Sequence, residues 1–333
     1  MYSTERAGHA SEPRIPGVAS LVRAIPELRA GTWRLGTYRV LEVRKQRRKR
    51  IVFARLTYRE GKRAAARRLV TKVYGSDRGA RALAALRQLW RAGFHAPSAH
   101  RVPQPFGYEH EAGALYQGHA NGVQWADLLS GDVDRLERAS RRAARWLGRL
   151  HATRIDGTIE PPDVAATQVR AASRELGRAF PAHKTRIAAI GGRVARELSV
   201  ASAPLTSSHG DYHPKNVFLA SRFVTVIDFD TFALREPAHD VGYAIAQLLI
   251  MSLFRTDDLA PGVRAARALW SASAGSAEWR RVRLHIARTF VQSLRYELCT
   301  LHNGRYALLK RWPAIADCAL ASETLDAFTR GLD

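Results

Sequence analysis

The chain has 333 residues, of which 46% are hydrophobic and 25% are charged, ordinary proportions for a soluble globular protein with one large or two modest domains. It contains only two cysteines, Cys299 and Cys318, without C-x-x-C spacing, which excludes a cysteine zinc cluster and a disulfide scaffold and fits a reducing cytoplasm. The net charge of +23 is concentrated in residues 36–110, where 19 Lys and Arg face 4 Asp and Glu, and we interpret this excess first as a solvated basic surface.

The N-terminal third is predicted to be rich in strands. Residues 1–35 form an arm and a short helix over 18–29, which Pro26 interrupts. Strands rich in Val, Ile, Tyr, Phe and Thr follow at 37–43, 50–58 and 66–74. A basic turn, RKQRRKR (44–50), joins the first two strands, and REGKRAA (59–65) joins the second and third.

A helix and two more strands complete this predicted N-terminal lobe over 36–117. The helix spans 79–92, with its apolar face formed by Leu83, Leu86, Leu89 and Trp90, and Gly93 is predicted to stop it. The strands lie at 106–110 and 113–117, and the glycine-containing residues 118–122 are predicted to form a hinge.

Residues 123–333 are predicted to be mainly helical. Helices are expected over 134–151, 163–180 and 184–200, and again beyond Asp240 with breaks at Pro261-Gly262, Gly275, Asn303-Gly304 and Pro313. Two short strands are expected at 216–220 and 223–229. The longest apolar run, 241–254, is too short to span a bilayer and indicates a buried helix.

The polar stretch SHGDYHPKN (208–216), with VIDFD (226–230) behind it, has the composition of a phosphoryl-transfer site. Such a reaction needs a carboxylate that orients the attacking hydroxyl, and oxygen ligands that hold Mg²⁺. Asp211 and Asn216 are five residues apart, the spacing found in the kinase catalytic loop H-R-D-x-x-x-x-N, and Asp228 follows a predicted strand.

Together, HGDYHPKNVF, VIDFD, PAHDVGYA and LGRLHA (147–152) resemble the aminoglycoside phosphotransferase/choline kinase-like family. The resemblance is strongest from residue 115 to about 245. It implies an α+β, bilobal protein-kinase-like fold, with a small β-rich N-terminal lobe and a larger, mainly helical C-terminal lobe. It also implies ATP or GTP and Mg²⁺ as cofactors.

The resemblance also implies roles for individual residues. Asp211 resembles the catalytic base and His209 the residue that braces its loop. Asn216 and Asp228 resemble the metal ligands. Asp230 and Asp240 resemble supporting carboxylates, although Asp240 could instead cap the following helix. His151 and His213 are interpreted as structural hydrogen-bonding residues rather than ligands.

The same resemblance implies that the N-terminal lobe binds the nucleotide. Lys72 resembles the strand lysine that reaches the α- and β-phosphates, with a solvated strand residue as the alternative reading. The remaining candidates for nucleotide contact are Arg47, Arg48, Gln117, Gly118 and His119.

Two features depart from the family pattern. Residues 78–108 contain no Asp or Glu, and the position of the glutamate that usually pairs with the strand lysine is close to Ala82. The loop expected over the phosphates, RKQRRKR, has no glycine. An arginine of that loop could contact the phosphates directly, or nucleotide handling could have been lost.

The sequence therefore predicts a cytoplasmic small-molecule kinase that phosphorylates a hydroxyl group, with no membrane association. The alternative is a pseudokinase-like binding or regulatory module whose basic N-terminal lobe docks a nucleic acid, another polyanion or an acidic partner. The acceptor substrate is not marked by any motif.

Overall fold

The computed structural model describes residues 15–46, 49–74, 76–200, 204–273 and 277–332. They form two compact units, one ending at Ala120 and the other beginning at Asn121. The first unit contains a five-stranded sheet and the second contains the long helices. This is the predicted α+β architecture.

The N-terminal unit is built on an antiparallel sheet with the strand order β1-β2-β3-β6-β5. Its strands are β1 (Trp33–Gln46), β2 (Lys49–Glu60), β3 (Arg63–Tyr74), β4 (His100–Arg101), β5 (Pro105–Glu109) and β6 (Ala114–Gly118). Its helices are α1 (Val18–Ala24), α2 (Pro26–Arg29) and α3 (Arg78–Arg91). The break at Pro26 is confirmed, because α1 ends before it and α2 starts with it, where a missing N–H costs nothing.

The first three strands are longer than predicted, so the predicted loops are wrong in extent. β1 and β2 remain paired as far as Gln46 and Lys49, and β2 and β3 remain paired as far as Glu60 and Arg63. The basic side chains do not end the strands, because the ladder hydrogen bonds are made by the backbone and the side chains at this end are largely exposed. Arg47 and Arg48 lie outside the described residues.

The core of this unit lies between the sheet and α1. Leu21 and Ile25 are fully buried there with Leu56 and Leu69, and the ring of Trp33 stacks on Tyr58 with centroids 3.9 Å apart. On α3, the predicted apolar face is buried except at Trp90, which is half-buried. Gly93, at φ +84°, follows the end of this helix as predicted.

The C-terminal unit is mainly helical. Its helices are α4 (Val133–Ala152), α5 (Pro162–Ala179), α6 (Lys184–Leu198), α7 (Ala238–Thr256), α8 (Ala260–Ala272), α9 (Trp279–Arg295), α10 (Leu308–Ala321) and α11 (Leu325–Arg330). Its strands are β7 (Val123–Gln124), β8 (Thr206–Ser208), β9 (Val217–Leu219), β10 (Val224–Val226) and β11 (Ala233–Arg235). Strand β9 pairs with β7 and β10, and β11 pairs with β8.

One predicted helix break is displaced and another is wrong. The break expected at Pro261-Gly262 lies a few residues earlier, between the end of α7 at Thr256 and the start of α8 at Ala260, so Pro261 falls in the first turn of α8, where no backbone donor is needed. Pro313 lies inside α10 and does not break it. Burial of Trp312, Ile315 and Ala316 stabilises α10 through the proline. The break around Gly304 is confirmed, whereas Gly275 lies outside the described residues.

Helix α7 contains the apolar run 241–254 and is buried along most of its length, as predicted. Within the described ranges, no helix combines the length and the apolar character that a bilayer crossing requires.

Candidate active site

The stretch 208–216 connects β8 to β9, and His209 is its buried anchor. Burial lowers the pKa of His209, which keeps the imidazole neutral near pH 7. Its Nε2 lies 2.9 Å from the carbonyl oxygen of Ile227, and its Nδ1 lies 3.2 Å from the backbone nitrogen of Asp211. The tautomer that satisfies both contacts donates from Nε2 and accepts at Nδ1. One ring therefore braces both Asp211 and the segment before Asp228.

Asp240, on the first turn of α7, holds the backbone of the same loop. Its two carboxylate oxygens accept hydrogen bonds from the backbone N–H groups of His209 and Gly210, both at 2.8 Å. His151 lies 3.3 Å from one of these oxygens. Burial alone would raise the pKa of Asp240, but the contact with His151 and the approach of His239 at 3.5 Å outweigh it and hold the pKa well below its usual range. The carboxylate is the third residue of α7 and does not cap that helix.

Gly210 is placed where only glycine fits. Its φ is +80°, and a Cβ atom there would collide with the guanidinium of Arg235 and the carbonyl oxygen of Thr231. The close approach of Arg235 to Gly210 brings the end of β11 against the residue before Asp211.

Asp211 presents a carboxylate that is held by neighbouring side chains. Tyr243 donates its phenolic hydrogen to Oδ1 at 2.6 Å, and His213 Nε2 lies 3.6 Å from Oδ2. Burial alone would raise the pKa of Asp211, but His213 and the hydrogen bond from Tyr243 outweigh it and hold the pKa below its usual range. The side chain remains 33% exposed, so an ionised carboxylate is accessible to a bound molecule.

Asn216 and Asp228 are linked through the backbone of Ile227, which donates its N–H to the Asn216 carbonyl oxygen at 2.9 Å. The side-chain nitrogen of Asn216 donates to the carbonyl oxygen of Asp211 at 3.0 Å, which turns the amide oxygen away from that contact. Asp228 has a left-handed backbone conformation, with φ +71° and ψ +61°. Such strain in a non-glycine residue is typical of functional positions. An amide oxygen and a carboxylate form a donor set that suits Mg²⁺.

Three further residues of the predicted site lie in this unit: Asp230, His213 and His151. Asp230 lies in a single 3₁₀ turn that follows Asp228, and it is half-buried. His213 accepts the backbone N–H of Lys215 at 3.2 Å, in addition to its approach to Asp211. His151 is buried against Asp240.

In the N-terminal unit, Lys72 lies on β3 opposite Ile51 of β2 and Leu115 of β6. Its side chain is only 3% exposed, so the alternative of a solvated strand residue is wrong. Helix α3 carries no acidic residue, and Ala82 is buried in its apolar face.

The predicted nucleotide-contacting residues Gln117, Gly118 and His119 lie at and just beyond the end of β6. Gln117 is buried, and the backbone N–H groups of Gly118 and His119 donate to the carbonyl oxygens of Gln104 and Arg68. Any further contact by the backbone of these two residues would therefore use their carbonyl groups.

Sequence reasoning missed several residues of the site, including Tyr243 and Arg235. Tyr243 lies three residues after Asp240 and therefore on the same face of α7, a helical spacing that could have identified it. Arg235 donates two hydrogen bonds to Glu160, at 2.9 and 2.6 Å, and one to the Thr231 carbonyl oxygen at 2.8 Å. No motif in the sequence marks this arginine.

A family model described as the phosphotransferase enzyme family, APH, matches residues 52–285 of this chain. A search of curated proteins by sequence found no match.

Several solved structures share the fold. A choline/ethanolamine kinase family protein from Mesorhizobium loti has a TM-score of 0.57 at 16% identity, covering 94% of this chain and 97% of that one. The macrolide 2'-phosphotransferase MphH from Brachybacterium faecium has a TM-score of 0.52 at 19% identity, covering 89% and 96%. The ternary complex of APH(2")-IIa with streptomycin and ATP has a TM-score of 0.51 at 13% identity, covering 89% and 97%.

Proposed function

The chain belongs to the aminoglycoside phosphotransferase family, and from that premise we propose that it is a small-molecule kinase that transfers the γ-phosphoryl group of ATP or GTP to a substrate hydroxyl with Mg²⁺. The observation that carries the proposal is the environment of Asp211, an accessible carboxylate whose pKa lies below its usual range. At neutral pH it is ionised and can accept a proton. We expect the reaction to take place in the cytoplasm, where nucleoside triphosphates are available.

In the proposed reaction, the acceptor hydroxyl donates a hydrogen bond to Asp211. The carboxylate orients the hydroxyl oxygen towards the γ-phosphorus and takes its proton as the new bond to phosphorus forms. The hydrogen bond from Tyr243 to Oδ1 restricts the rotation of the carboxylate, so Oδ2 is assigned as the proton acceptor. The leaving group is the nucleoside diphosphate.

The residues present fit a bound magnesium ion. The ion, when bound, would neutralise charge on the phosphates of the nucleotide. Asn216 would supply its amide oxygen and Asp228 its carboxylate, and His209 would keep the two at a fixed separation through its hydrogen bond to Ile227.

We assign the contact with the non-transferred phosphates to Lys72, because it is a buried lysine on the central strand of its sheet. Arg47 and Arg48 are proposed as additional phosphate contacts, since charged donors could replace the backbone amides of a glycine-rich loop. Gln117, Gly118 and His119 are proposed to contact the nucleotide base.

One observation favours a second function. No carboxylate lies on α3 to pair with Lys72, and the expected position is occupied by the buried Ala82. A binding module that docks a polyanion or an acidic partner through its basic N-terminal unit would not need that pair. Such a module would bind without turnover, and its affinity would fall steeply with salt.

The test is phosphoryl transfer measured by coupled nucleotide turnover, with Mg²⁺ and a panel of hydroxylated metabolites and aminoglycosides. For an acceptor that is turned over, Asp211→Ala is expected to lower kcat by roughly 10²- to 10⁴-fold, the usual contribution of a general base. Asp134→Ala, at an exposed position on α4, is the matched control and should retain full activity.

Turnover that survives Asp211→Ala would exclude this residue as the base. Salt-sensitive polyanion binding, together with no turnover for any acceptor, would favour the binding module.

A further inference from the structure

A small pocket in the C-terminal unit lies beside the candidate active site. It encloses about 270 Å³ of space outside the protein atoms, part of it open to solvent. The charged and titratable residues that line it are Glu160, Arg235, Glu236, His239, His285 and Arg288. They come from the segment before α5, the end of β11, the segment entering α7, the first turn of α7, and α9.

The pocket is adjacent to the predicted base through Arg235. The guanidinium of Arg235 lies against Gly210, the residue before Asp211, and donates to the Thr231 carbonyl oxygen at 2.8 Å. Thr231 in turn donates its hydroxyl to the carbonyl oxygen of His209 at 3.1 Å. A group bound in the pocket would therefore lie next to the backbone that positions Asp211.

The carboxylates around the pocket already have partners. Both oxygens of Glu236 are used, by the guanidinium of Arg281 at 2.9 and 3.0 Å and by His285 Nε2 at 2.6 Å. Glu160 accepts two hydrogen bonds from Arg235, and the oxygens of Asp240 accept from backbone N–H groups.

Arg288 differs from the other arginines of this cluster. Its side chain lines the pocket and is buried, with 2% of the residue exposed. Within the described ranges, its guanidinium forms no hydrogen bond or ion pair, and its Nε atom is buried without a partner. Nδ1 of His285, on the same helix and in the same pocket, is also buried without a partner.

A buried guanidinium without a hydrogen-bond partner is costly, because the charge loses its hydration. The nearby charges of Glu236 and Asp240 offset only part of that cost. Burial, followed by the nearby charge of Arg235, lowers the pKa of Arg288 to about 10, so the side chain is still charged at neutral pH. A ligand that supplies an anionic group would remove this cost.

We propose that the pocket binds an anionic group of the acceptor, and that Arg288 is the residue that recognises it. The acceptor is then a small hydroxyl compound that carries a carboxylate or a phosphate, because either group matches the planar donors of arginine. The pocket is small and partly open to solvent, so it would hold the anionic group of the acceptor and not the whole molecule. That the bound compound is a phosphoryl acceptor rests on the proposed kinase function, whereas anion binding at Arg288 does not.

The test compares compounds that share a carbon skeleton but differ in charge. One set is glucose, gluconate, glucosamine and glucose 6-phosphate, and the other is glycerol, glycerate, serinol and glycerol 3-phosphate. Acetate and inorganic phosphate serve as minimal anion probes. Binding is measured by the shift in Tm and by calorimetry at constant ionic strength, and turnover is measured separately with ATP and Mg²⁺.

The variants are Arg288→Met, Arg288→Lys and the control Arg280→Met, which changes an exposed arginine on the same helix. The intact protein should bind the anionic members of each set more tightly than the neutral and cationic members. Arg288→Met should weaken that binding roughly 10- to 100-fold, as expected for loss of a charge-assisted contact. Arg288→Lys should restore part of the binding, and Arg280→Met should leave it unchanged.

The Tm of the ligand-free variant separates recognition from a structural role. Because Arg288→Met removes a buried charge without a partner, its Tm should equal or exceed that of the parent protein. A clear fall in Tm would indicate a structural role and would overturn the proposal.

The binding and turnover results are distinguishable. If no anion binds in an Arg288-dependent manner, the inference is wrong, and turnover of neutral or cationic acceptors would leave the kinase function intact. If anions bind through Arg288 but no compound is phosphorylated, anion binding is supported and the kinase function is not. Carboxylate and phosphate compounds in each set distinguish the two possible anionic groups.

Discussion

Tyr243 controls how the Asp211 carboxylate is presented. Its phenolic oxygen lies 2.6 Å from Oδ1 of Asp211, a distance typical of a charge-assisted hydrogen bond. Burial raises the pKa of Tyr243 well above its usual range, so the phenol keeps the proton that it donates. This bond occupies Oδ1, so we assign the substrate contact to Oδ2, whose neighbours lie farther away, Asn216 Nδ2 at 3.4 Å and His213 Nε2 at 3.6 Å.

At the scale of single residues, we therefore expect Tyr243→Phe to lower kcat by roughly 10- to 100-fold, the cost of one hydrogen bond to a charged group. The Tm should change little, because the ring remains packed. Steady-state kinetics on an acceptor that the parent protein phosphorylates measure the effect. Tyr296→Phe, at a side chain that is 45% exposed, is the control. An unchanged kcat in Tyr243→Phe would show that the bond does not position the base.

The sequence predicted the motif residues of the site but not their partners. Asp211, Asn216 and Asp228 could be recognised because the chemistry fixes both their type and their spacing. Arg288 lies on α9, far along the chain from these motifs, and nothing local to α9 relates it to Asp211. Only the packing of α7 and α9 shows that it lines a pocket beside the loop.

At the scale of elements, the approach of α7 to α9 depends on Gly242. A Cβ atom at this position would lie 2.6 Å from the carbonyl oxygen of Val282 and 2.6 Å from Cβ of His285, both on α9. The two helices would have to move apart to accommodate it, which would displace Tyr243 and Arg288 from their present positions.

We expect Gly242→Ala to destabilise the protein by about 1–3 kcal/mol, the usual cost of overpacking. Gly148→Ala is the matched control, since Gly148 is inside α4 with nothing within 4 Å of the added methyl group. That variant should be stabilised by up to about 1 kcal/mol, because alanine has the higher helix propensity. Urea unfolding measures both, and similar values for the two variants would contradict the predicted clash.

The elements themselves were largely predictable, and the errors have a common cause. The helical periods and strand compositions located most segments, but the ends of β1 and β2 were placed too early because their basic residues resemble a turn. The predicted helix end at Pro313 is wrong for a similar reason. In each case the pairing or packing of distant residues, which the local sequence does not contain, outweighs the local preference.

At the scale of the whole molecule, the stability of the fold depends on neutral buried histidines. Burial lowers the pKa of His239 well below its usual range and that of His285 to about 4, and the charge of Arg288 acts in the same direction on both. The residues facing them are Asp240 and Arg235 for His239, and Glu236 and Arg281 for His285. Below about pH 6.5 the unfolded chain binds protons at these positions, whereas the folded chain does not.

The free energy of unfolding should therefore fall as the pH is lowered from about 6.5 towards 4. The slope is about 1.4 kcal/mol per pH unit for each fully protonated histidine of the unfolded chain. Urea unfolding at several pH values measures this slope. His285→Gln should reduce this slope by the contribution of one histidine, about 1.4 kcal/mol per pH unit. His302→Gln, at an exposed histidine, should leave the slope unchanged. Equal slopes in all three proteins would show that His285 does not contribute.

The hydrogen bonds of Ile227 have a consequence for the entropy of the reaction. Its N–H is bound to the Asn216 carbonyl oxygen, and its carbonyl oxygen is bound by His209, so the peptide next to Asp228 has little freedom left. The base and the two proposed metal ligands lose their relative motion when the chain folds, before any substrate arrives. Less conformational entropy is then lost on binding, and more of the binding energy remains to bring the hydroxyl and the phosphorus together.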